Sequence, residues 1–169
     1  MYRSHGGSVR AFVHRRVPRE AADDLVADVF VAAWRRVDEA PADALPWLLA
    51  IARGLIANRR RGETRRRALR KRLVARGEGA QMQEGPEQRV SEGDAFGRAF
   101  GSLGERDREV IRLIAWDGLG RPQAAEVLGV SEPLFSVQLH RARRRLKRAL
   151  EEQETRDGRT NPSSVEAAR

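Results

Sequence analysis

The side chains best suited to chemistry in this sequence are cations that recur at helical spacing near residue 140. At 100° per residue, one side of a helix here would carry Val137, His140, Arg141, Arg144 and Arg148. The opposite side would carry only apolar side chains: Phe135, Leu139, Ala142 and Leu146. An arginine guanidinium can donate paired hydrogen bonds to phosphate oxygens or to the edge of guanine in the major groove. The pattern predicts a helix that packs on its own domain with one side and binds DNA with the other.

The residues just before this helix predict how it is positioned. A short helix over 122–128 carries Ala124 and Ala125, whose small side chains allow another helix to approach closely. Gly129 follows and can adopt the positive φ that a tight turn between helices needs. Ser131 can then cap the second helix by accepting from its free N–H groups. This order of elements predicts a helix-turn-helix rather than an amphipathic helix with a solvated charged side.

The residues that would support catalysis or hold a cofactor are missing from the sequence. Cysteine is absent, which excludes thiol nucleophiles, disulfides and iron–sulfur clusters. His5, His14 and His140 have no second histidine at i+3 or i+4 with which to form a metal pair. Neither a GxGxxG turn nor a GxxxxGK loop occurs. We therefore predict a protein that is not an enzyme and that holds no metal and no cofactor.

The composition is that of a small basic protein without a membrane insertion segment. Its 169 residues carry a net charge of +9, and no apolar run approaches the roughly 20 residues of a membrane span. The stretch from Met1 to Arg10 lacks a hydrophobic signal core, which predicts a cytoplasmic protein. Residues 59–76 contain ten basic and one acidic side chain, and residues 103–150 contain ten and six. Because an acidic stretch separates these two blocks, we expect two contacts with a polyanion.

Helical periodicity predicts two amphipathic helices in the first half of the chain. The inward stripe expected between Ala21 and Val37 consists of Leu25, Val26, Val29, Phe30, Ala33, Trp34 and Val37. The inward residues expected over 45–58 are Trp47, Leu48, Ile51, Ala52 and Leu55. Pro18 suits the start of the first helix, and Val9 to Val17 predicts a shorter helix before it. Residues 38–45 are predicted to form a loop.

The fold class predicted from these patterns is all-α, with two small helical bundles joined by a flexible linker. The first bundle is expected over residues 1–75, and the second, which contains the helix-turn-helix, over 96–150. Glycine, glutamine and glutamate recur in residues 76–95, which predicts the linker. Residues 151–169 lack an apolar stripe, which predicts a polar tail that is frayed or disordered.

These segments together resemble the extracytoplasmic-function sigma factors, transcription initiation subunits of the bacterial sigma-70 family. DLVADVFVAAWRR from Asp24 is similar to the region 2 helix that binds the clamp helices of RNA polymerase. PWLLAIAR from Pro46 and NRRR from Asn58 are similar to the adjoining segment that melts promoter DNA and reads the minus-ten element. LGERDREV from Leu103 through HRARRRL from His140 is similar to region 4, whose helix-turn-helix reads the minus-thirty-five element.

The resemblance implies a sigma factor that binds core RNA polymerase and directs promoter-specific transcription initiation. It implies polymerase contacts at Asp24, Asp28, Val31 and Arg35. It implies minus-ten DNA contacts at Asp43, Trp47, Arg53, Asn58, Arg59, Arg60 and Arg61. It implies minus-thirty-five DNA contacts at Ser131, Ser136, Val137, Gln138, His140, Arg141 and Arg144. Its partners would be core RNA polymerase, promoter DNA and, as is common in the family, an anti-sigma factor.

The residues alone leave other interpretations open. Asp24 and Asp28 could serve only to compensate the helix dipole, and Trp47 could be a core residue. The cations beyond Arg65 could form a solvated charge run. The same helix-turn-helix would serve a stand-alone transcriptional regulator, and the arginine content would also suit an RNA-binding protein.

One departure from the family pattern bears on DNA recognition. The sequence PLFSVQ from Pro133 stands where the family often has GTVKSR, so Ser136 and Gln138 carry no charge at positions that usually contact DNA. His140, Arg141 and the arginine at 144 must then contribute more.

Overall fold

The computed structural model describes residues 1–75 and 95–159, with side chains for 1–72 and 95–155. Within these residues the chain forms seven α-helices, one 3-10 turn and no strand, which confirms the predicted all-α class. The first three helices belong to one compact unit, and the fourth, fifth and seventh belong to another. None of these helices combines the length and the apolar character that crossing a membrane requires. The predicted linker lies outside the described residues except for Ala95, which begins the fourth helix.

The first unit packs three helices against one another. Its helices are α1 (Tyr2–His14), α2 (Arg19–Trp34) and α3 (Ala44–Ala75), with a 3-10 turn at Val37–Glu39 between α2 and α3. Pro18 occupies the N-cap position of α2 with φ −57° and ψ 149°, as its place in the sequence predicts. Because a proline disfavours helical dihedrals in the residue before it, the same side chain separates α1 from α2.

Two of these helices are longer than their apolar stripes predict. The first was expected from Val9 and begins at Tyr2. The third was expected to end near Asn58 and continues to Ala75. Between Asn58 and Ala75 the sequence consists mainly of arginine, alanine, leucine and lysine, which are strong helix formers, and it contains no proline. Intrinsic propensity therefore extends α3 beyond the residues that the bundle buries.

The core of the first unit differs in part from the predicted stripes. On α2 the prediction is right for Leu25, Val26, Val29 and Ala33, which are buried. It is wrong for Trp34, whose side chain is 77% exposed, and for Val37, which is also exposed. On α3 the inward side is centred on Leu48, Leu49, Ala52 and Ile56, whereas Trp47, Ile51 and Leu55 are half-buried.

A buried arginine belongs to this core as well. Arg16 is only 3% exposed, and its Nη1 donates to the backbone oxygen of Phe12 at 3.0 Å. Its guanidinium carbon lies 3.5 Å from the centroid of the Phe12 ring. The ring face and the carbonyl together compensate a charge that would otherwise be costly to bury.

The second unit is organised around its last helix. The helix α6 (Arg121–Leu128) precedes α7 in the sequence and belongs to this unit only up to Ala125; the other helices of the unit are α4 (Ala95–Ser102), α5 (Glu105–Ala115) and α7 (Glu132–Arg159). The last of them packs on α4 and α5. The buried cluster between them contains Phe100, Leu103, Ile111 and Ala142, with Leu146 packed against it.

The end of α7 corrects the predicted tail. Residues 151–159 are helical rather than frayed, because α7 continues to Arg159. Lys147 Nζ lies 3.8 Å from Glu151 Oε1, and Thr155 Oγ1 donates to the backbone oxygen of Glu151 at 2.8 Å. The i,i+4 ion pair between Lys147 and Glu151 supports a helix that has no apolar stripe. Residues 160–169 lie outside the described part of the chain.

Candidate protein and nucleic-acid interfaces

The four predicted polymerase contacts lie on one exposed side of α2. Asp24, Asp28, Val31 and Arg35 are spaced by four, three and four residues, and each side chain is exposed. The buried residues of α2 lie on its opposite side. Asp24 and Asp28 lie within the helix beyond the first turn, where Glu20 is the acidic residue. Compensation of the helix dipole therefore explains their position less well than a surface role does, because the dipole effect falls off within the first turn.

One residue of this surface was expected in the core instead. Trp34, exposed as described above, lies three residues after Val31 and one before Arg35 on the same helix. Nearby on the unit, the rings of Tyr2 and Phe30 meet edge to face with centroids 4.9 Å apart. A large apolar side chain exposed among charged groups is typical of a protein interface. We call the set Asp24, Asp28, Val31, Trp34 and Arg35 the α2 outer face.

Most of the predicted minus-ten residues lie on α3, and three of them share one side of that helix. At 100° per residue, Trp47, Asn58 and Arg61 lie within about 60° of one another around the helix. Asn58 and Arg61 are exposed and hydrogen-bonded to each other through Arg61 Nη2 and Asn58 Oδ1, while Trp47 is half-buried. Asp43 is exposed and directly precedes the first residue of α3, and the exposed Arg53 lies further along the helix.

Two further predicted minus-ten residues, Arg59 and Arg60, have partners within the first unit. Arg59 Nε lies 3.0 Å from Glu63 Oε1 one turn later, and both side chains are partly exposed. Arg60 is half-buried, and its Nη2 donates to the backbone oxygen of Arg16 at 3.1 Å. The structure thus gives Arg60 a role in joining α3 to the connection between α1 and α2, which the run of arginines in the sequence does not indicate.

An ion pair lies at the start of the predicted 38–45 loop, which the structure shortens, because Val37–Glu39 form a 3-10 turn and α3 already begins at Ala44. The Nη2 of Arg36 lies 2.5 Å from Oε2 of Glu39, and the Nε of Arg36 donates to the same oxygen at 3.0 Å. These hydrogen bonds stabilise the carboxylate, so the pKa of Glu39 lies below its ordinary value. The same pairing raises the pKa of Arg36. Both side chains are exposed, so the pair contributes little to the stability of the fold.

The turn between α6 and α7 has the predicted conformation. Gly129 follows α6 with φ +66°, and the backbone N–H of Val130 donates to the oxygen of Ala125 at 3.0 Å. At the start of α6, Gln123 Oε1 accepts the N–H of Gly120 at 2.9 Å, which is half of a capping box. A glycine can therefore occupy the cap position, because the glutamine side chain satisfies its N–H. That Ser131 caps α7 through its side chain stays a prediction.

The two sides of α7 also match the prediction. Phe135, Leu139 and Ala142 are buried. The exposed side contains Val137, which is 47% exposed, together with His140, Arg141, Arg144 and Arg148. The buried side fixes α7 to its unit, so the exposed cations form a single surface.

The remaining predicted minus-thirty-five residues lie around that surface. Ser131 is exposed at the start of α7, and Ser136 and Gln138 are half-buried. The Oε1 of Gln138 is buried and accepts no hydrogen bond among the described residues. The described residues also contain no group of three or more histidine, aspartate or glutamate side chains that could hold a metal ion.

Comparison with known proteins matches both units. The family description for sigma-70 region 2 matches residues 1–66, and that for sigma-70 region 4 matches residues 93–146. The chain is 36% identical over 149 residues to the RNA polymerase sigma factor CnrH of Cupriavidus metallidurans, covering 80% of this chain and 76% of CnrH.

Two solved structures are similar in fold. One is CnrH in complex with the cytosolic domain of CnrY, with a TM-score of 0.59, 26% identity, and coverage of 89% of this chain and 85% of the other. The second is the sigma factor RpoE in complex with the anti-sigma factor NepR from Bartonella quintana. It gives a TM-score of 0.58 and 25% identity, and the match covers 89% of this chain and 94% of the other.

Proposed function

Since this chain belongs to the sigma-70 family, in its extracytoplasmic-function group, we propose how its surfaces perform the work of that family. The protein binds core RNA polymerase and directs promoter-specific transcription initiation. We propose that it carries out no catalysis itself and acts in the cytoplasm, where transcription takes place.

The α2 outer face is the proposed polymerase-binding surface. The observation that carries this assignment is the exposure of Trp34 on the helix that also exposes Asp24, Asp28 and Val31. Tryptophan and arginine are enriched among the residues that dominate binding free energy at protein interfaces. The acidic side chains would steer a cationic partner surface and fix the orientation in which it binds.

The proposed minus-ten surface comprises the start of α3 and the side on which Asn58 and Arg61 lie. Asp43 and Trp47 stand beside the turn that precedes α3, where unstacked bases of the opened strand would bind. Arg53, Arg59 and Arg61 would neutralise phosphates of that strand. Arg59 can do so by exchanging Glu63 for phosphate, because both partners are partly exposed. Arg60 contributes less in this proposal, because its guanidinium already contacts the carbonyl of Arg16.

The exposed side of α7 is the proposed reader of the minus-thirty-five element. His140, Arg141 and Arg144 supply donors for base edges and phosphates in the major groove, and Val137 supplies an apolar contact for a thymine methyl group. Ser131 and Ser136 lie closer to the N-terminal end of α7 and would contact the phosphate backbone of the DNA. The buried Oε1 of Gln138 is not available as an acceptor in this position, so Gln138 could contribute only through its amide N–H groups.

An anti-sigma factor is the third partner that we propose. The similar RpoE structure contains one, the anti-sigma factor NepR. A regulator of this kind would prevent initiation by occupying a surface that polymerase or promoter DNA needs.

The polymerase assignment is tested by reversing one charge on the α2 outer face. The variant Asp28→Arg should lower affinity for core RNA polymerase about tenfold or more, because it places a positive charge opposite a partner surface that is complementary to a negative one. The control is Glu154→Arg, the same charge reversal on an exposed site of α7. Core binding by fluorescence anisotropy measures both, and circular dichroism confirms that both variants fold. Equal affinities for the two variants would contradict the assignment.

A further inference from the structure

Arg60 lies where α3 leaves the core of the first unit. Ile56 is the last buried residue of α3, and every side chain from Glu63 to Arg72 is exposed. Between them the half-buried Arg60 donates from Nη2 to the backbone oxygen of Arg16 at 3.1 Å. The described side chains of α3 beyond Arg60 make hydrogen bonds and ion pairs only within α3 itself. The hydrogen bond of Arg60 therefore holds the last turn of α3 that is fixed to the unit.

The oxygen that accepts this hydrogen bond belongs to a well-anchored connection between α1 and α2. The backbone N–H groups of Arg16 and Val17 both donate to the oxygen of Val13, at 2.8 and 3.1 Å. The Arg16 side chain is 3% exposed, and its guanidinium contacts the ring and the backbone oxygen of Phe12. Moving the connection would expose these partners of a buried charge to loss, which is costly. The oxygen of Arg16 is thus a fixed point to which α3 is bound.

The place of Arg60 around α3 decides what this contact orients. At 100° per residue, Arg61 lies about 100° from Arg60 and Asn58 about 160° from it in the same direction. Asn58 and Arg61 are exposed and hydrogen-bonded to each other. Binding Arg60 to the connection therefore turns this pair away from the unit. A shift of α3 would move both side chains together, and a hydrogen bond to a base edge is lost when its length grows by about 1 Å.

We propose that Arg60 is a positioning residue for minus-ten recognition. Its hydrogen bond to the backbone of Arg16 sets the orientation in which Asn58 and Arg61 meet the bases of the promoter, and Arg60 itself does not contact DNA. This inference rests on the proposed function, because it requires that Asn58 and Arg61 belong to the minus-ten surface. It assigns to Arg60 the selection of the element rather than the affinity for phosphate.

The preceding residue, Arg59, offers a contrast within the same run of arginines. Its Nε lies 3.0 Å from Oε1 of the partly exposed Glu63, a contact made within α3. An exposed ion pair of this kind contributes little to the fold, so Arg59 can exchange it for a phosphate. The two arginines should then affect DNA binding by different routes: Arg59 by direct contact, and Arg60 through Asn58 and Arg61.

The test replaces each of these two arginines by methionine in the full-length chain. Arg60→Met removes the donor to Arg16, and Arg59→Met removes the same charge from the adjacent exposed site. Methionine is about as good a helix former as arginine, so α3 should stay helical, which circular dichroism checks. Val9→Ala alters a fully buried residue of α1 and controls for a loss of stability.

Each chain is combined with core RNA polymerase and titrated with two duplexes over a range of salt concentrations. One duplex carries a promoter that has been located by mapping start sites, and the other carries the same promoter with a scrambled minus-ten element. The affinity ratio between the two duplexes measures selection of the element. The slope of log affinity against log salt measures the number of phosphates that are neutralised.

The expected result for Arg60→Met is a loss of selection with little change in salt dependence. Its affinity ratio should fall about tenfold, which corresponds to impaired readout of about one base pair. Its salt slope should change little, because a long side chain such as Arg61 can still reach a phosphate after a small shift of α3. Arg59→Met should instead keep the ratio and flatten the slope by about 0.7–0.9. Val9→Ala should keep both, and all three variants should keep the affinity for core polymerase.

Three results would overturn the proposal. The first is an affinity ratio of Arg60→Met equal to that of the unaltered chain. The second is an equal fall of the ratio in Val9→Ala, which would reduce the contact to a contribution to stability. The third is a salt slope flattened as much in Arg60→Met as in Arg59→Met, which would make Arg60 a phosphate contact. Failure of the proposed function would be seen instead in the unaltered chain, as the absence of any preference for the promoter duplex in its mixture with core.

Discussion

Arg145 Nη1 on α7 lies 2.6 Å from Asp107 Oδ2 on α5, and the Asp107 side chain is only 14% exposed. The pair joins residues 38 positions apart in the sequence. Its neighbour Arg144 is exposed on the proposed DNA surface and makes no such contact with α5. Adjacent arginines in one run thus have different roles: Arg145 connects two helices of the second unit, and Arg144 faces the solvent.

Replacing these two arginines in turn should separate stability from DNA recognition. Arg145→Ala should lower the free energy of unfolding by roughly 0.5–1 kcal/mol, because it removes the ion pair with Asp107. Arg144→Ala should change it by less than about 0.5 kcal/mol and weaken binding to the minus-thirty-five element by about 1–3 kcal/mol. Urea unfolding and duplex titration of the holoenzyme measure the two effects. If Arg144→Ala instead lowered the free energy of unfolding and Arg145→Ala weakened DNA binding, the ion pair with Asp107 would not be what separates the roles of the two arginines.

Trp34→Ala should weaken binding to core RNA polymerase with little effect on the free energy of unfolding. The side chain buries little area within the chain, so the free energy of unfolding should change by less than about 0.5 kcal/mol. At an interface a tryptophan of this kind commonly contributes 2 kcal/mol or more, which corresponds to about a 30-fold loss of affinity. The control Leu48→Ala alters a fully buried residue of the same unit and should cost about 2–5 kcal/mol of stability. A Trp34 variant that unfolds as easily as the Leu48 variant would contradict the exposed position.

Replacing Gly129 and Gly54 by alanine should change the free energy of unfolding in opposite directions. Gly129→Ala should destabilise the protein by about 1–2 kcal/mol, because an alanine at φ +66° is strained although nothing lies within 4 Å of the added Cβ. Gly54→Ala lies in the exposed interior of α3, again with nothing within 4 Å, and should stabilise the protein by about 0.8–1 kcal/mol. Urea unfolding followed by circular dichroism measures both changes. If alanine were tolerated equally at both sites, the left-handed turn at Gly129 would be wrong.

The Arg36–Glu39 pair predicts a pH effect of known sign. Because the pKa of Glu39 is lowered in the folded chain, its small stabilising contribution is present above the ordinary glutamate pKa and is lost as pH falls through the lowered value. The NMR titration of the Glu39 carboxyl carbon should therefore have its midpoint below that of an ordinary glutamate. In Arg36→Gln the midpoint should return toward the ordinary value; an unchanged midpoint would mean that Arg36 is not the cause.

The features that sequence could predict depend on neighbours along the chain. The two sides of α7 and the turn at Gly129 follow from spacing over a few residues, and both are confirmed. Pro18 fixes the start of α2 for the same reason. The order of these local signals was also enough to indicate the family.

The features that sequence did not predict depend on tertiary packing. Trp34 is apolar and lies at the edge of the expected stripe, and only the positions of α1 and α3 decide that this edge stays uncovered. Arg60 lies in a uniform run of arginines, yet it alone among Arg59, Arg60 and Arg61 reaches the backbone of Arg16. The length of α3 and the helical continuation of α7 to Arg159 come from propensity and i,i+4 contacts, which an apolar stripe does not report.

Run-off transcription with purified core RNA polymerase tests the central claim most directly. The account predicts that core alone gives no discrete transcripts from genomic fragments, that addition of this chain gives transcripts with defined start sites, and that Asp28→Arg removes most of them. If the unaltered chain bound duplex DNA tightly by itself but gave no defined start sites with core, the initiation function would be contradicted and a stand-alone regulator would explain the helix-turn-helix.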